Sequence, residues 1–294
     1  MYLPDFDYHS PESIDEALSL LANLGSGAKV LAGGTDLLHK MKQGDLAPKA
    51  LVSLKGLDKL KGINYVEGRG VVIGALSTQN DILYSEVLAK KYPSVSHAAK
   101  KMASNQIRHL GTVGGNIVNA VPSADLPPIL IALGASITLV STSGKREMAL
   151  EEFFVEPASS VINEGEILTE IVIPDGDLTG SSYHKFGLRR SGALAVVGVA
   201  ASARVAGGVI EEARIVCASS APKVIRTPKA EAFLAGKSPA PEVLEELQAI
   251  VESEVRPRDS IRGSAEYRRN LAGVLAKRAL VDAVESGHGL PAED

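Results

Sequence analysis

Two glycine-rich segments carry the residues of this chain that are best suited to binding chemistry. Residues 32–36 read Ala-Gly-Gly-Thr-Asp, and residues 111–116 read Gly-Thr-Val-Gly-Gly-Asn. Glycine lets a ligand approach the backbone closely, and successive amide groups at the start of a helix attract phosphate. Either segment alone is more often a plain turn than a binding site. Together they predict a clamp for the two phosphates of a dinucleotide.

Other cofactor and catalytic motifs do not occur in the sequence. Gly236-Lys237-Ser238 has the tail of a P-loop, but Glu231 stands where the first glycine is required. The spacing of the Rossmann fingerprint is not met. The single cysteine, Cys217, excludes an all-cysteine iron–sulfur cluster and a structural zinc site on this chain, and the six histidines show no metal-ligand spacing. Cys217 follows an apolar pair and is predicted to be buried rather than nucleophilic.

Composition places the chain among ordinary globular proteins. It has 294 residues, 45% hydrophobic and 22% charged, with a net charge of −4. The length predicts about two domains, and the charge argues against a nucleic-acid partner. Residues 1–7 do not resemble a signal peptide, and the longest apolar stretches, 129–140 and 193–203, are too short to span a bilayer. These features predict a cytoplasmic protein with no membrane span.

Local patterns predict alternating helices and strands, followed by a strand-rich last third. Ser10 and Pro11 are typical of a helix start, Thr78 and Asp81 have the spacing of a capping box, and Gly207-Gly208 predicts a hairpin. The boundary between two domains is expected at 174–182. Predicted strands cover 29–32, 51–54, 71–75, 136–141, 167–173, 182–188, 195–205 and 209–218, and the predicted helices include 94–104, 129–133, one from Pro241 and one over 265–286.

A family resemblance rests on four segments of the chain. These are the two glycine segments, the opening Leu3-Pro4-Asp5-Phe6 and residues 262–269. The chain resembles the FAD-binding medium subunit of the molybdenum hydroxylases, the family of carbon-monoxide dehydrogenase and xanthine dehydrogenase. The resemblance covers almost the whole chain. It implies an α+β fold with a PCMH-type FAD-binding α/β domain over 1–175, in subdomains of about 1–55 and 56–175. A C-terminal α+β domain, with a three-stranded antiparallel sheet and helices, is implied over 180–288.

The resemblance also implies which residues bind FAD. Residues 29–37 would surround the pyrophosphate, residues 112–116 would clamp it from the other side, and Met102 and Ala103 would approach the isoalloxazine. Valine at Gly33 or Gly115 is expected to place a side chain where the phosphates lie. The implied cofactor-binding residues are Lys29, Val30, Leu31, Ala32, Gly33, Gly34, Thr35, Asp36, Leu37, Met102, Ala103, Thr112, Val113, Gly114, Gly115, Asn116, Asp125, Leu168 and Lys185.

Several of these residues have a structural alternative. Asp125 would hydrogen-bond the cofactor by resemblance, but Asp36 and Asp125 are also plausible as helix caps. Leu168 is either an apolar contact of the cofactor or a core residue only. Lys185 would favour an anionic reduced flavin, or it is a solvated residue of a strand. The pair Arg189-Arg190 would grip a phosphate, an acidic partner face or no ligand.

The family implies an electron-transfer subunit. It would accept electrons from a [2Fe-2S] small subunit and pass them to an external acceptor, while a large subunit holds molybdopterin and the substrate, in a dimer of heterotrimers. Two alternatives are a self-sufficient flavoenzyme and a flavin-free assembly subunit. The family often has an acidic residue where this chain has Ala193, which bears on flavin access and on the acceptor. Neither the substrate nor the acceptor follows from the sequence.

Overall fold

The computed structural model describes residues 2–285 of the chain. The last residues of the predicted C-terminal helix and domain, 286–288, lie outside the described residues. Within the described part, no helix is long and apolar enough to cross a membrane. The elements form three consecutive units, each built on its own sheet.

The N-terminal unit has a three-stranded parallel sheet in the order β1-β3-β2. Its first helix begins after Ser13, whose hydroxyl accepts a hydrogen bond from the amide of Glu16. The prediction that Ser10 caps this helix is therefore wrong, because the Ser-x-x-Glu spacing that satisfies the free amides starts at Ser13. The elements are β1 (Asp7–His9), α1 (Ile14–Leu24), β2 (Ala28–Leu31), α2 (Leu37–Gln43) and β3 (Ala50–Ser53).

The second unit has a five-stranded antiparallel sheet in the order β4-β5-β10-β6-β7. The strands over 136–141 and 167–173 and the Thr78–Asp81 capping box are confirmed. Its strands are β4 (Ile63–Val66), β5 (Gly70–Gly74), β6 (Ser136–Ser141), β7 (Gly144–Ala149), a separate pair β8 (Phe154–Glu156) and β9 (Ser159–Ser160), and β10 (Ile167–Ile173). Its helices are α3 (Gln79–Leu83), α4 (Glu86–Lys91), α5 (Pro93–Lys101), α6 (Asn105–Arg108), α7 (Val113–Val118) and α8 (Leu126–Ala132).

One expectation for the second unit is wrong, and two strands of its sheet have no counterpart among the predicted ones. The helix predicted over 94–104 ends at Lys101, because Met102 is extended and Ala103 takes a left-handed φ of 42°. The edge strands β4 and β7 were not predicted. Both are largely exposed, and β7 carries three consecutive charged residues, so neither has the apolar pattern of a buried strand.

The third unit has a four-stranded antiparallel sheet in the order β11-β12-β13-β14. The resemblance implied three strands; these are the three long ones, and the two-residue β14 adds a fourth. Gly207 and Gly208 form the predicted hairpin turn, with φ of 59° and 79°. The elements are β11 (Gly180–Phe186), β12 (Val197–Ala206), β13 (Val209–Ala218), β14 (Ile225–Arg226), α9 (Pro228–Leu234), α10 (Pro241–Glu254) and α11 (Ala265–Glu285).

Both faces of the third sheet are covered, and this joins the third unit to the second. One face packs against α9, α10 and α11 in a separate core. The other face, through Tyr183, Ala200 and Val216, belongs to the large core of the second unit, which includes the fully buried helix α8. Side chains at the beginning of α8 and on β11 therefore meet at a fixed position.

Candidate functional site

A cleft of about 630 Å³ opens where the three units meet, a size typical of cofactor sites. Its walls come from the two glycine segments, the start of α8, strand β10 and the loop after β11. Sixteen of the residues proposed from the sequence line it: Lys29, Val30, Ala32, Gly33, Gly34, Thr35, Asp36, Leu37, Met102, Ala103, Thr112, Gly114, Gly115, Asn116, Asp125 and Leu168.

Three proposed residues do not line the cleft. Leu31 is 4% exposed and packs in a small core with Met41 and Leu51. Val113 is fully buried in the core of the second unit. Lys185 lies behind the cleft wall. Leu31 and Val113 sit inside a strand and a helix whose neighbouring residues face the cleft, so a continuous segment cannot present every side chain to one ligand.

The first glycine segment forms the turn between β2 and α2. Gly34 has a φ of 80°, which favours glycine, and its carbonyl accepts from the amide of Leu38. Asp36 immediately precedes α2, yet its side chain makes no capping hydrogen bond. Its Oδ2 instead accepts from the hydroxyl of Thr35 at 3.3 Å. The helix-cap alternative for Asp36 is therefore not observed, and its carboxylate is exposed at the cleft.

The two glycine segments contact each other through Gly33. A Cβ on Gly33 would lie 2.0 Å from the carbonyl oxygen of Leu110 and 3.0 Å from the Cα of Gly111. Such distances are impossible without movement of the backbone. The expectation that valine at Gly33 would point toward bound phosphates is wrong, because its side chain would enter the second segment instead.

The second glycine segment begins helix α7. The hydroxyl of Thr112 caps the helix by accepting from the amide of Gly115 at 3.1 Å. A Cβ on Gly114 would lie 2.8 Å from the Cβ and the carbonyl oxygen of Ala75, whereas one on Gly115 would meet only the Thr112 hydroxyl, at 3.0 Å. Gly114 is thus required by packing, and Gly115 is the glycine of this segment that is open to the cleft.

A sharp turn after α5 forms another part of the wall. Its residue Ala103 has a left-handed φ of 42°, which is unfavourable for alanine. Lys185 Nζ donates to the carbonyl of Lys101 at 3.0 Å, and Arg108 Nη1 donates to that of Met102 at 2.7 Å. Two cationic side chains, one from β11 and one from α6, therefore hold the turn in place.

Behind this turn lies a buried ion pair. Asp125 is 5% exposed; its Oδ2 accepts from Lys185 Nζ at 2.8 Å, and its Oδ1 accepts from the hydroxyl of Tyr183 at 2.7 Å. Burial raises the pKa of Asp125, while Lys185 and Tyr183 act in the opposite direction. Burial, reinforced by the carboxylate, holds the pKa of Tyr183 well above its usual range.

These contacts decide two of the alternatives. Asp125 does not cap α8, since its side chain makes no capping hydrogen bond there. Lys185 is not a solvated strand residue, because only 6% of its side chain is exposed. Its positive charge is compensated by Asp125 at 2.8 Å, and of these two partners only Asp125 lines the cleft.

The loop after β11 forms another part of the cleft wall. Gly192, Ala193 and Leu194 line it, and Leu194 is 54% exposed. The amide of Gly192 donates to the carbonyl of Ala103 at 3.0 Å, which attaches the loop to the turn after α5. Arg189 donates to the carbonyl of Gly192 at 2.6 Å, so its hydrogen bond lies within this loop.

The cleft also includes residues that sequence reasoning missed. Lys40 Nζ donates to Oδ1 of Asn119 at 3.0 Å, joining α2 to the end of α7 across the cleft. Glu166 contributes a buried carboxylate whose pKa is lowered by the Arg146 guanidinium, 2.7 Å away. Gln79, at the first position of α3, forms another part of the wall. These residues belong to no sequence motif, so only the folded structure identifies them as part of the cleft.

Unpartnered polar atoms test whether the cleft fits a polar cofactor. Buried polar side chains almost always have hydrogen-bonding partners. Among the described residues, both amide atoms of Gln79 and the carbonyl oxygen of Asn116 are buried without one, and both residues line the cleft. A ligand offering both donors and acceptors, as FAD does with its phosphates, hydroxyls and ring edge, matches these groups.

No metal centre accompanies the cleft in residues 2–285, where no three His, Cys, Asp or Glu side chains are grouped to hold an ion. Cys217 is fully buried, and its pKa is raised to about 12 by burial and by the nearby Glu254 and Glu231. The prediction that Cys217 is a buried side chain is confirmed.

Comparisons with known proteins agree with this geometry. Residues 4–176 match the family described as the FAD binding domain in molybdopterin dehydrogenase. Residues 181–283 match the C-terminal domain of CO dehydrogenase flavoprotein. Together these two matches account for nearly all of the described residues.

Individual relatives match over nearly their full length. The carbon monoxide dehydrogenase medium chain of Hydrogenophaga pseudoflava is 35% identical, over 95% of this chain and 97% of that one. The glyceraldehyde dehydrogenase medium chain of Sulfolobus acidocaldarius is 34% identical, over 95% and 98%. A solved structure of the Hydrogenophaga pseudoflava enzyme, in a form lacking the Mo-pyranopterin moiety, superposes with a TM-score of 0.92 at 35% identity, covering 96% of this chain and 98% of that one.

Proposed function

Because the chain belongs to the family of FAD-binding subunits of molybdopterin dehydrogenases, oxidoreductases in which this subunit binds FAD, we propose that it is the electron-transfer subunit of a heteromeric molybdenum hydroxylase. It would accept electrons from an iron–sulfur partner and pass them to an external acceptor. Bound FAD would supply this chemistry, since a flavin can take up electrons one at a time from a one-electron centre and can pass two on together.

The observation that carries the proposal is the meeting of two glycine segments in one cleft that also holds unpartnered amide groups. In this proposal, residues 32–36 and 112–116 hold the pyrophosphate from opposite sides, mainly through backbone amides. Asp125 contacts the cofactor from the start of α8, Leu168 contributes an apolar surface from β10, and Met102 and Ala103 lie at the isoalloxazine.

The chain's own residues would then bind and position the flavin rather than act on a substrate. The ion pair of Asp125 and Lys185 brings a compensated charge to the cleft, and the anchored carbonyls of Lys101 and Met102 keep the turn after α5 rigid. Preorganised polar groups of this kind tune a bound cofactor without moving during the reaction. We assign no catalytic acid or base to this chain.

The names of the relatives, which are called medium chains, support a set of partner subunits. We propose a small subunit with [2Fe-2S] clusters and a large subunit with molybdopterin, assembled as a dimer of heterotrimers in the cytoplasm. Two relatives of nearly equal identity are medium chains of enzymes named for carbon monoxide and for glyceraldehyde. Such similar medium chains in differently named enzymes support a substrate site on another subunit.

Purification of the tagged chain from its native host tests this proposal. The visible spectrum, the released cofactor and the co-purifying subunits are recorded on one sample. We expect FAD together with an iron–sulfur subunit and a molybdopterin subunit. FAD without partners would indicate a self-sufficient flavoenzyme instead, and partners without flavin would indicate an assembly subunit.

A further inference from the structure

Gln79 occupies the point where the two glycine segments and α3 come together. It is the first residue of α3, and its own backbone amide donates to the carbonyl of Gly111 at 2.9 Å. A Cβ on Gly111 would lie 3.9 Å from the Cγ of Gln79, so the side chain runs along the second glycine segment. Gln79 is 1% exposed and forms part of the cleft wall.

The amide group of this side chain is buried without a partner. Neither Nε2 nor Oε1 makes a hydrogen bond to any described residue. The other buried amide near it differs, because Asn80 Nδ2 donates to Oδ1 of Asn105 at 3.0 Å and Asn80 Oδ1 accepts from Arg108. A buried amide group with no hydrogen-bonding partner destabilises a fold. The missing partners are therefore expected to come from the ligand.

The chemistry of the amide limits what that group is. Nε2 is a donor and Oε1 is an acceptor, and this remains true if the two atoms are exchanged by a flip. A phosphate offers acceptors only, so a phosphate alone would leave Oε1 unpaired. A hydroxyl, a ring N–H or an exocyclic amine supplies the missing donor.

We propose that Gln79 binds the cofactor through a paired donor and acceptor, contacting a hydroxyl or N–H group of FAD with Oε1 and an oxygen or ring nitrogen of it with Nε2. This inference rests on FAD binding in the cleft. It assigns to α3 a role in holding the cofactor beside the glycine segments, which contribute backbone groups.

The test replaces Gln79 with methionine, which has similar length but neither donor nor acceptor. The protein is purified with its native partners, stripped of flavin, and titrated with FAD while the quenching of flavin fluorescence is followed. We expect the dissociation constant of FAD to rise about tenfold, because two hydrogen bonds to the ligand are lost. Thermal unfolding of the flavin-free protein is expected at the same or a higher temperature, since an unpaired buried amide has been removed.

Gln248→Met is the matched control, because Gln248 pairs with Glu252 on α10, away from the cleft. The control is expected to bind FAD as the wild type does. If Gln79→Met bound FAD unchanged, or if it unfolded at a clearly lower temperature without flavin, Gln79 would be a structural residue and the inference would be wrong. The isosteric Gln79→Glu, which lacks the amide donor, repeats the measurement with a side chain of unchanged shape and is also expected to weaken binding.

Competition with FMN and with ADP locates the partner group. If Gln79→Met binds FMN more weakly than the wild type but binds ADP equally well, the FAD group that contacts Gln79 lies on the ring or the ribityl chain. If the variant loses affinity for ADP but not for FMN, that group lies on the adenosine half. A wild-type protein that fails to bind FAD overturns the proposed function. A wild type that binds FAD, with a Gln79→Met variant of equal affinity, overturns only the role of Gln79.

Discussion

The two walls of the cleft are built by opposite means. One wall consists of the glycine segments, where close approach of backbone is the main feature and Gly33 lies against Leu110. The other wall, at the start of α8 and the end of β11, is built from side chains, with Asp125 held between Tyr183 and Lys185. In the glycine wall, the size of a substituted side chain determines whether it is tolerated. In the side-chain wall, the balance of charge between the buried partners determines this.

Because of this difference, substitutions in the two walls should change the stability of the protein with different dependence on pH. An added methyl group should damage the glycine wall equally at every pH, because steric overlap does not depend on protonation. Removal of one charged partner should damage the other wall only while the remaining partner is ionised. Stability measured at two pH values therefore distinguishes the walls, and the following variants test the distinction from the largest expected effect to the smallest.

Lys185→Met should have the largest effect, a loss of about 3–5 kcal/mol in the free energy of unfolding at pH 8, because it leaves Asp125 buried and unpaired. Burial already raises the pKa of Asp125, and loss of Lys185 raises it further. The folded variant therefore binds a proton more readily than the unfolded chain does, and its stability rises as pH falls through that pKa. Urea unfolding at pH 8 and pH 5 should show a smaller loss at pH 5.

An exposed ion pair provides the control for this experiment. Lys145 pairs with Glu147 at 3.1 Å on β7, and both side chains are more than half exposed. Lys145→Met should leave stability almost unchanged at either pH. A Lys185→Met variant with equal losses at both pH values would show that packing, not charge, governs that wall.

Gly33→Ala should destabilise the protein by about 3 kcal/mol, since its Cβ would lie 2.0 Å from the Leu110 carbonyl oxygen. The contact between the glycine segments would be lost, and FAD affinity should fall with it. Urea unfolding and FAD titration measure the two effects, and the stability loss should be the same at pH 5 and pH 8. Gly176→Ala is the control, because a Cβ there meets no atom within 4 Å. Wild-type stability in Gly33→Ala would contradict the close approach.

Gly114→Ala should cost about 1–2 kcal/mol, because its Cβ would lie 2.8 Å from Ala75. This side chain points into the protein rather than into the cleft. The loss of stability should therefore exceed any direct loss of FAD affinity. Differential scanning calorimetry of the flavin-free protein, with FAD titration of the same sample, separates the two. A variant of normal stability and poor FAD affinity would place Gly114 at the ligand instead.

Gly115→Ala should have the smallest effect on stability and a clear effect on the cofactor. Alanine is favoured over glycine within a helix, which offsets the tight contact with the Thr112 hydroxyl. The unfolding temperature should stay within a few degrees of wild type, while FAD affinity falls about tenfold as the methyl group enters the cleft. Gly114→Ala is the adjacent comparison. Unchanged FAD affinity in Gly115→Ala would remove residues 112–116 from the proposed clamp.

Much of the fold was open to sequence-based prediction because its signals are local. Strands β6, β10 and β13 were predicted at their observed bounds, because runs of apolar and β-branched residues mark a buried strand within a few positions. The edge strands β4 and β7 were missed because exposed strands lack that pattern. The first helix was misplaced because two serines compete as caps within four residues, and only Ser13 meets the amide of Glu16.

Some features of the site can likewise be predicted from local sequence, and others cannot. The sequence by itself determined the two glycine turns, the single cysteine and the family, since each is a matter of residue type and spacing along the chain. Only the tertiary structure decided that Gly33 faces Leu110, that Lys185 pairs with Asp125 and that Gln79 lies unpaired in the cleft wall. Each of these facts depends on segments far apart in sequence, so it follows from how the sheets pack rather than from any local pattern.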